Sequence, residues 1–173
     1  LPVAVDMVRL ADRQEELVGE LPVGSLARLC DSLTSEQGAV AVRLQFGRDE
    51  GRRLIVRGTL SAKVELQCQR CLKPMPWHLQ ASVLLAGCYS EQDMDSLPEV
   101  YDPVLIPDER LRLAQLVEDE LILALPTLAM HEDDPDCRPL EIQAPAPESE
   151  KPDDERQANP FAVLGALKRR DDS

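Results

Sequence analysis

Three stretches in the middle of the chain alternate apolar and polar residues with a period of two. Val40, Val42, Leu44 and Phe46 fall on one side, with Arg43 and Gln45 on the other. After Gly47-Arg48-Asp49-Glu50-Gly51, whose composition marks a turn, Leu54, Val56, Leu60, Ala62, Val64 and Leu66 share one face. Arg57, Thr59, Ser61, Lys63, Glu65 and Gln67 occupy the opposite face of that run. A third run sets Trp77, Leu79, Ala81, Val83 and Leu85 against His78, Gln80 and Ser82. A helix would scatter these side chains around its circumference, so the pattern predicts half-buried antiparallel strands joined as a meander. A shorter fourth strand is expected over residues 100–106.

From Asp108 the period changes. Leu113, Leu116, Val117, Leu121 and Ala124 follow helical spacing, while Arg112, Gln115, Glu118 and Asp119 are expected to face water. Asp108 is a natural N-cap and Pro126 ends the helix. Its last turn, with Ile122, Leu123 and Leu125, is apolar nearly all round and should insert into the core. Nearer the start, Ser25 is placed to cap a short helix carrying Leu26, Leu29, Cys30 and Leu33 on one stripe, where Cys30 reads as a small buried hydrophobe. A meander of three to four strands, packed by a long helix and a short N-terminal helix, defines an α+β domain.

The composition shifts beyond residue 138. Residues 139–158 are rich in Pro, Glu and Asp and poor in large apolar residues, the signature of a disordered acidic linker. Residues 159–173 then form an island in which Phe161, Leu164 and Leu167 recur at helical spacing before Lys168-Arg169-Arg170. Such a peptide orders on contact, either on its own domain or on a partner. The expected organisation is an α+β core over 1–138, the linker, and a C-terminal docking peptide.

The 173 residues suit one domain with an appendage, and 43% hydrophobic with 29% charged residues is ordinary for a globular protein. No stretch approaches the roughly 18 apolar residues of a membrane span. Leu1-Pro2-Val3-Ala4-Val5-Asp6 lacks the basic and long apolar regions of a secretory signal. The five cysteines are odd in number, which favours a reducing compartment over a disulfide framework. A soluble cytoplasmic protein is expected.

The net charge of −13 is unevenly spread. Residues 42–88 hold eight basic and three acidic groups, a net of +5, whereas residues 89–157 hold five basic and twenty acidic, a net of −15. Contact with phosphates is therefore confined to the basic module or the cationic tail. The plain alternative is that these arginines are a solvated strand face. If RNA is bound, Arg43, Arg48, Arg52, Arg53, Arg57, Lys63, Arg70 and Lys73 are the residues to meet its phosphates. Aromatics are only 3%, so a base-stacking platform of the RRM or OB type is disfavoured and readout is expected to go by shape rather than by bases.

Cys68-Gln69-Arg70-Cys71 stands at the turn between the second and third strands. Two thiolates in C-x-x-C can occupy neighbouring corners of a tetrahedral zinc site, because a tight turn presents both sulfurs on one side. No second C-x-x-C exists to complete it. His131 and Cys137, just past the long helix, are candidates, as is His78, seven residues beyond Cys71. The set Cys68, Cys71, His131 and Cys137 would hold one structural zinc; otherwise the thiols are unmetallated and Cys68 ends the buried face of its strand. A thioredoxin-type redox pair is disfavoured, since that pair needs a helix N-terminus to acidify its thiol. Cys88 stands alone. Glu118-Asp119-Glu120 reads as a solvated run, and no Gly-rich phosphate loop, Ser–His–Asp pattern or H-E-x-x-H is present. A non-enzymatic protein without a small-molecule substrate is expected.

Several segments resemble one bacterial family. Arg57-Gly58-Thr59-Leu60-Ser61-Ala62-Lys63-Val64-Glu65-Leu66-Gln67-Cys68-Gln69-Arg70-Cys71-Leu72-Lys73-Pro74 is similar to the central motif of the YceD family, the large ribosomal RNA subunit accumulation proteins. Leu97-Pro98-Glu99-Val100-Tyr101-Asp102-Pro103 fits as well. So does Leu116-Val117-Glu118-Asp119-Glu120-Leu121-Ile122-Leu123-Ala124-Leu125-Pro126 with the following His131 and Cys137, and Asn159-Pro160-Phe161-Ala162-Val163-Leu164 with Leu167-Lys168 resembles the C-terminal signature. The pieces occur in family order from about residue 57 to 170. The resemblance implies a role in synthesis, processing or stability of 23S ribosomal RNA and in large-subunit assembly, with no catalytic residues. Extra cysteines accompany the C-x-x-C pair in some relatives, which favours metal binding. Its implied partners are pre-ribosomal RNA or ribosomal and assembly proteins. A rival reading is a zinc-stabilised, acidic interaction adaptor that meets a basic partner such as a ribosomal protein and affects rRNA only indirectly.

Overall fold

A computed structural model describes residues 1–132, 135 and 137–139. In chain order these form strand β1 (Ala4–Asp6), helix α1 (Met7–Asp12), strand β2 (Glu16–Pro22), a 3-10 turn at Val23–Ser25 and helix α2 (Ala27–Cys30). Strands β3 (Ala39–Arg48), β4 (Leu54–Gln67) and β5 (Pro74–Cys88) follow, then helix α3 (Glu91–Met94), strands β6 (Asp102–Leu105) and β7 (Arg110–Arg112), and helix α4 (Leu113–Leu123). The acidic linker and the island with Phe161, Leu164 and Leu167 lie outside the described residues. Among those residues, no helix is long and apolar enough to cross a membrane.

The three alternating runs become β3, β4 and β5, paired antiparallel in that order. Val40, Val42, Leu44 and Phe46 from β3, Leu60, Ala62, Val64 and Leu66 from β4, and Leu79, Val83 and Leu85 from β5 are all buried on one face. Helices cover it through Met7 and Ala11 of α1, Leu29 of α2, and Leu113, Leu116, Val117 and Leu121 of α4. Each such Leu, Ile, Val, Met or Phe removed from water stabilises the fold by about 1.5–3 kcal/mol. The α+β class stands, with a mostly antiparallel sheet.

The details depart from the sequence reading at several points. The sheet has five strands in the order β2-β3-β4-β5-β6, because Glu16–Pro22 adds an edge strand along β3. Its apolar content is too sparse for a clear alternation, and pairing supplies what local pattern does not. Strand β6 runs parallel to β5 rather than extending the meander. A parallel return needs a crossover, and residues 89–101 provide it, with α3 closed by a capping box between Ser90 and Asp93.

Helix α4 begins at Leu113, not after Asp108, and its N-cap is Arg112. Residues Arg110–Arg112 are drawn into a two-stranded ladder with Ala4–Asp6, in which Val5 faces Leu111. Helical dihedrals there would forfeit those bonds and the burial of Leu111. Ser25 does not cap a helix: its hydroxyl donates to the Pro22 carbonyl at 2.6 Å. Cys30 is only half-buried, and Leu123, expected in the core, is 80% exposed.

The largest correction concerns Glu118, which is buried rather than solvated. Its Oε1 accepts the backbone N–H groups of Arg28 at 2.7 Å and Leu29 at 3.3 Å, satisfying amides that the four-residue α2 leaves unpaired. Its Oε2 accepts from Arg28 Nε at 2.9 Å and pairs with Arg28 Nη2 at 2.7 Å, and the same Nη2 reaches Asp119 Oδ1 at 2.7 Å. Burial pushes the Glu118 carboxyl up, but the Arg28 guanidinium and the two amides outweigh it and hold it below its ordinary value of 4.5. A carboxylate with a depressed folded-state value stabilises above the unfolded value and loses that contribution as pH falls.

Two expectations follow from this packing. Glu118→Gln should lower stability at pH 7 by about 1–2 kcal/mol, since a charge-assisted bond becomes a neutral one. The melting-temperature gap to wild type should narrow as pH falls below the ordinary carboxylate range and through the depressed folded-state value of Glu118; a gap independent of pH would show that the ionised carboxylate is not what matters. At Gly58 a Cβ would collide with the Arg43 carbonyl across the β3–β4 ladder. Gly58→Ala should therefore cost about 1–3 kcal/mol in denaturant unfolding.

Candidate metal centre

The β4–β5 turn is a knuckle built by backbone bonds. Leu72 adopts a left-handed conformation at φ 58°, and its N–H donates to the Cys68 carbonyl at 2.9 Å, while Cys68 N–H donates to the Lys73 carbonyl at 3.0 Å. Both thiols are thereby turned to the buried side, Cys68 fully and Cys71 nearly so. The chain leaving α4 then passes beside the knuckle, where Gln69 N–H donates to the Ala129 carbonyl at 2.8 Å. That one bond fixes the height at which His131 arrives.

Cys68, Cys71, His131 and Cys137 thus converge, with all four ligand atoms within 4.8 Å of one another. Cys68 Sγ lies 3.5 Å from Cys137 Sγ, and Cys71 Sγ lies 3.6 Å from His131 Nδ1. A tetrahedral zinc site with Zn–S of about 2.3 Å and Zn–N of about 2.05 Å has edges of roughly 3.8 Å between sulfurs and 3.6 Å between sulfur and nitrogen. The donor set and spacing fit such an ion. His78 is not a member: it sits exposed on β5 opposite Lys63.

Electrostatics supports deprotonation at one corner. Burial pushes the Cys68 thiol up, but the N–H groups of Cys71, His131 and Arg70, with help from the Cys137 thiol, bring it down to about 5. At Cys71 the Lys73 N–H favours the thiolate, yet burial and the two neighbouring thiols raise it overall. Without a cation, three thiolates this close repel one another; a divalent ion removes that conflict. Arg70 adds a clamp no motif announced. Its Nε donates to Cys137 Sγ and its Nη2 to the His131 carbonyl, both at 3.0 Å.

The eight basic residues do not form one patch. Arg43, Arg57 and Lys63 lie on the outward face of β3 and β4, whose register sets Arg43 opposite Thr59 and Gln45 opposite Arg57. Arg48, Arg52 and Arg53 belong to the β3–β4 turn. Arg70 and Lys73 lie at the other end of β4, roughly 45 Å away at the rise of a strand. Arg43 pairs with Glu16, Arg48 with Asp12 and Arg53 with Asp49. Among the described residues, Arg52, Arg57, Lys63 and Lys73 have no ion pair.

Fold and site together define an α+β protein whose five-stranded sheet leaves one face open and whose longest hairpin ends in a four-ligand Cys/His cluster. The chain belongs to the YceD family: the family described as large ribosomal RNA subunit accumulation protein YceD matches residues 56–168. It is 32% identical over 179 residues to a Haemophilus influenzae protein named large ribosomal RNA subunit accumulation protein YceD, covering 98% of this chain and 97% of that one. Uncharacterized proteins of Mycobacterium bovis and Mycobacterium tuberculosis are each 28% identical over 154 residues, covering 87% of this chain and 73% of theirs. No solved structure matches this chain.

Proposed function

We propose that the chain is a non-enzymatic ribosome biogenesis factor, acting in the cytoplasm in the synthesis, processing or stability of 23S rRNA during large-subunit assembly. The observation that carries this is the end-to-end similarity to the Haemophilus influenzae protein of that name. The separation of charge supports it, since cations gather on the β3–β5 region of an otherwise acidic protein. Pre-ribosomal RNA or a ribosomal or assembly protein is the partner.

One structural zinc is part of this reading. Cys68, Cys71, His131 and Cys137 would fill all four corners of a tetrahedron, leaving no open position for a substrate or an activated water. Held there, the ion supplies a crosslink between the β4–β5 turn and the chain beyond α4, not a reaction. A binding role follows more naturally than a catalytic one. The rival is an acidic adaptor for a basic partner, favoured by the net charge of −15 over residues 89–157.

Purified protein should carry about one zinc per chain, and Cys71→Ser should lose it and melt at a lower temperature. Protein that is metal-free as isolated and indifferent to added zinc would refute the crosslink. For the role itself, a Haemophilus influenzae strain lacking its relative should show reduced mature 23S rRNA, restored by this chain. Unchanged large-subunit rRNA in the complemented and uncomplemented strains would overturn the proposal.

A further inference from the structure

Strand β4 interrupts its alternation once. Leu54, Ile55 and Val56 are all buried, although Ile55 lies in phase with the outward face. The loop before β6 covers it, and between this loop and the β3–β4 turn lies a cleft of about 600 Å3. Tyr101 lines one side; Arg48, Arg53 and Arg57 line the other.

The charges of the cleft are mostly spoken for. Asp49 accepts the Arg53 N–H at 2.8 Å and Arg53 Nη1 at 3.1 Å. Arg48 is held by Asp12 at 2.8 Å and by the Arg52 carbonyl at 3.0 Å. What is left is a half-buried tyrosine ring, the exposed Arg57 guanidinium and the exposed Glu50 carboxylate, the two charged groups having no ion pair among the described residues. The same face continues along β4 through the short side chains of Thr59 and Ser61 to Lys63, also exposed and without an ion pair among the described residues. Arg57 and Lys63 are about 20 Å apart at the rise of a strand, a span of several nucleotides.

We propose that the cleft and the outward face of β4 bind single-stranded RNA, with one base stacked on Tyr101 and backbone phosphates on Arg57 and Lys63. A single strand is the ligand because only an unstacked base presents its face to an aromatic ring, while the two cations Arg57 and Lys63, separated by the small side chains of Thr59 and Ser61, let the backbone approach. Arg57 next to the ring adds a stacking or cationic contact to the same nucleotide. This inference rests on the proposed rRNA role and names where the RNA lies.

The test uses the full chain and a fluorescently labelled, unstructured RNA of about a dozen nucleotides, within the range of single-strand binding sites. Tyr101→Ala should weaken binding about tenfold, whereas Tyr101→Phe, which keeps the ring, should bind like wild type. Arg57→Ala and Lys63→Ala should each reduce the slope of log affinity against log salt by about 0.7. Both side chains are exposed, so these variants should melt like wild type and remain informative even if Tyr101→Ala unfolds. Wild-type binding with unaltered affinity and slope in the Arg57 and Lys63 variants would overturn this site while leaving an rRNA role standing. Wild type that binds no RNA but captures a purified basic ribosomal protein would overturn both this site and direct RNA contact.

Discussion

The paired ladder of β4 and β5, in register from Ile55 with Ala86 to Gln67 with Pro74, is the constraint on which the other features hang. Because side chains alternate strictly along a strand, a slip of one residue would exchange its buried and exposed sets. In the observed register the apolar residues of both strands meet the same core, and the polar ones form one open face. The knuckle is the turn of this ladder, so the same register that builds the core aims Cys68 and Cys71 inward. The cleft with Tyr101 lies toward its other end. One hairpin thus holds two chemically different sites apart by nearly its own length.

A sheet buried on one face needs a lid, and the lid has its own polar problem. Like any helix, α2 has no internal acceptors for its first amides. Glu118, projecting from α4, accepts two of them while Arg28 closes around the carboxylate. The pair sits partly in solvent on the Arg28 side, which limits the desolvation that makes buried ion pairs unfavourable. In physical terms Glu118 is a helix cap delivered from a distant element, and it joins two of the helices that cover the core.

Family membership and charge distribution bear on function in different ways. Membership connects the chain to proteins named for large-subunit RNA accumulation, whereas the structure shows which surfaces are available for contact. The uncompensated cations of β4 face outward on the sheet, away from the helices and from the Glu118 run. That face also carries the exposed Glu16, Glu20 and Glu65, so it offers a polyanion local cations rather than a uniformly basic surface. The cysteine cluster is removed from that face, with Cys68, Cys71 and Cys137 buried.

The three alternating runs, the helical stretch ending before Pro126 and the α+β class were legible because they are local: side-chain periodicity reports which faces are buried. The four members of the Cys/His cluster were also legible, since histidine is scarce in this chain and the chemistry of C-x-x-C narrows the choice. Their meeting was not, because it depends on a bond from Gln69 to Ala129 across sixty residues. The pairing of β1 with β7, the edge strand β2 and the parallel β6 were likewise hidden, since a backbone amide carries no record of its distant partner. Glu118 shows the limit most clearly. By composition and spacing it belongs to a solvated acidic run, and only the tertiary placement of Arg28 and two free amides beside it makes burial of its charge favourable.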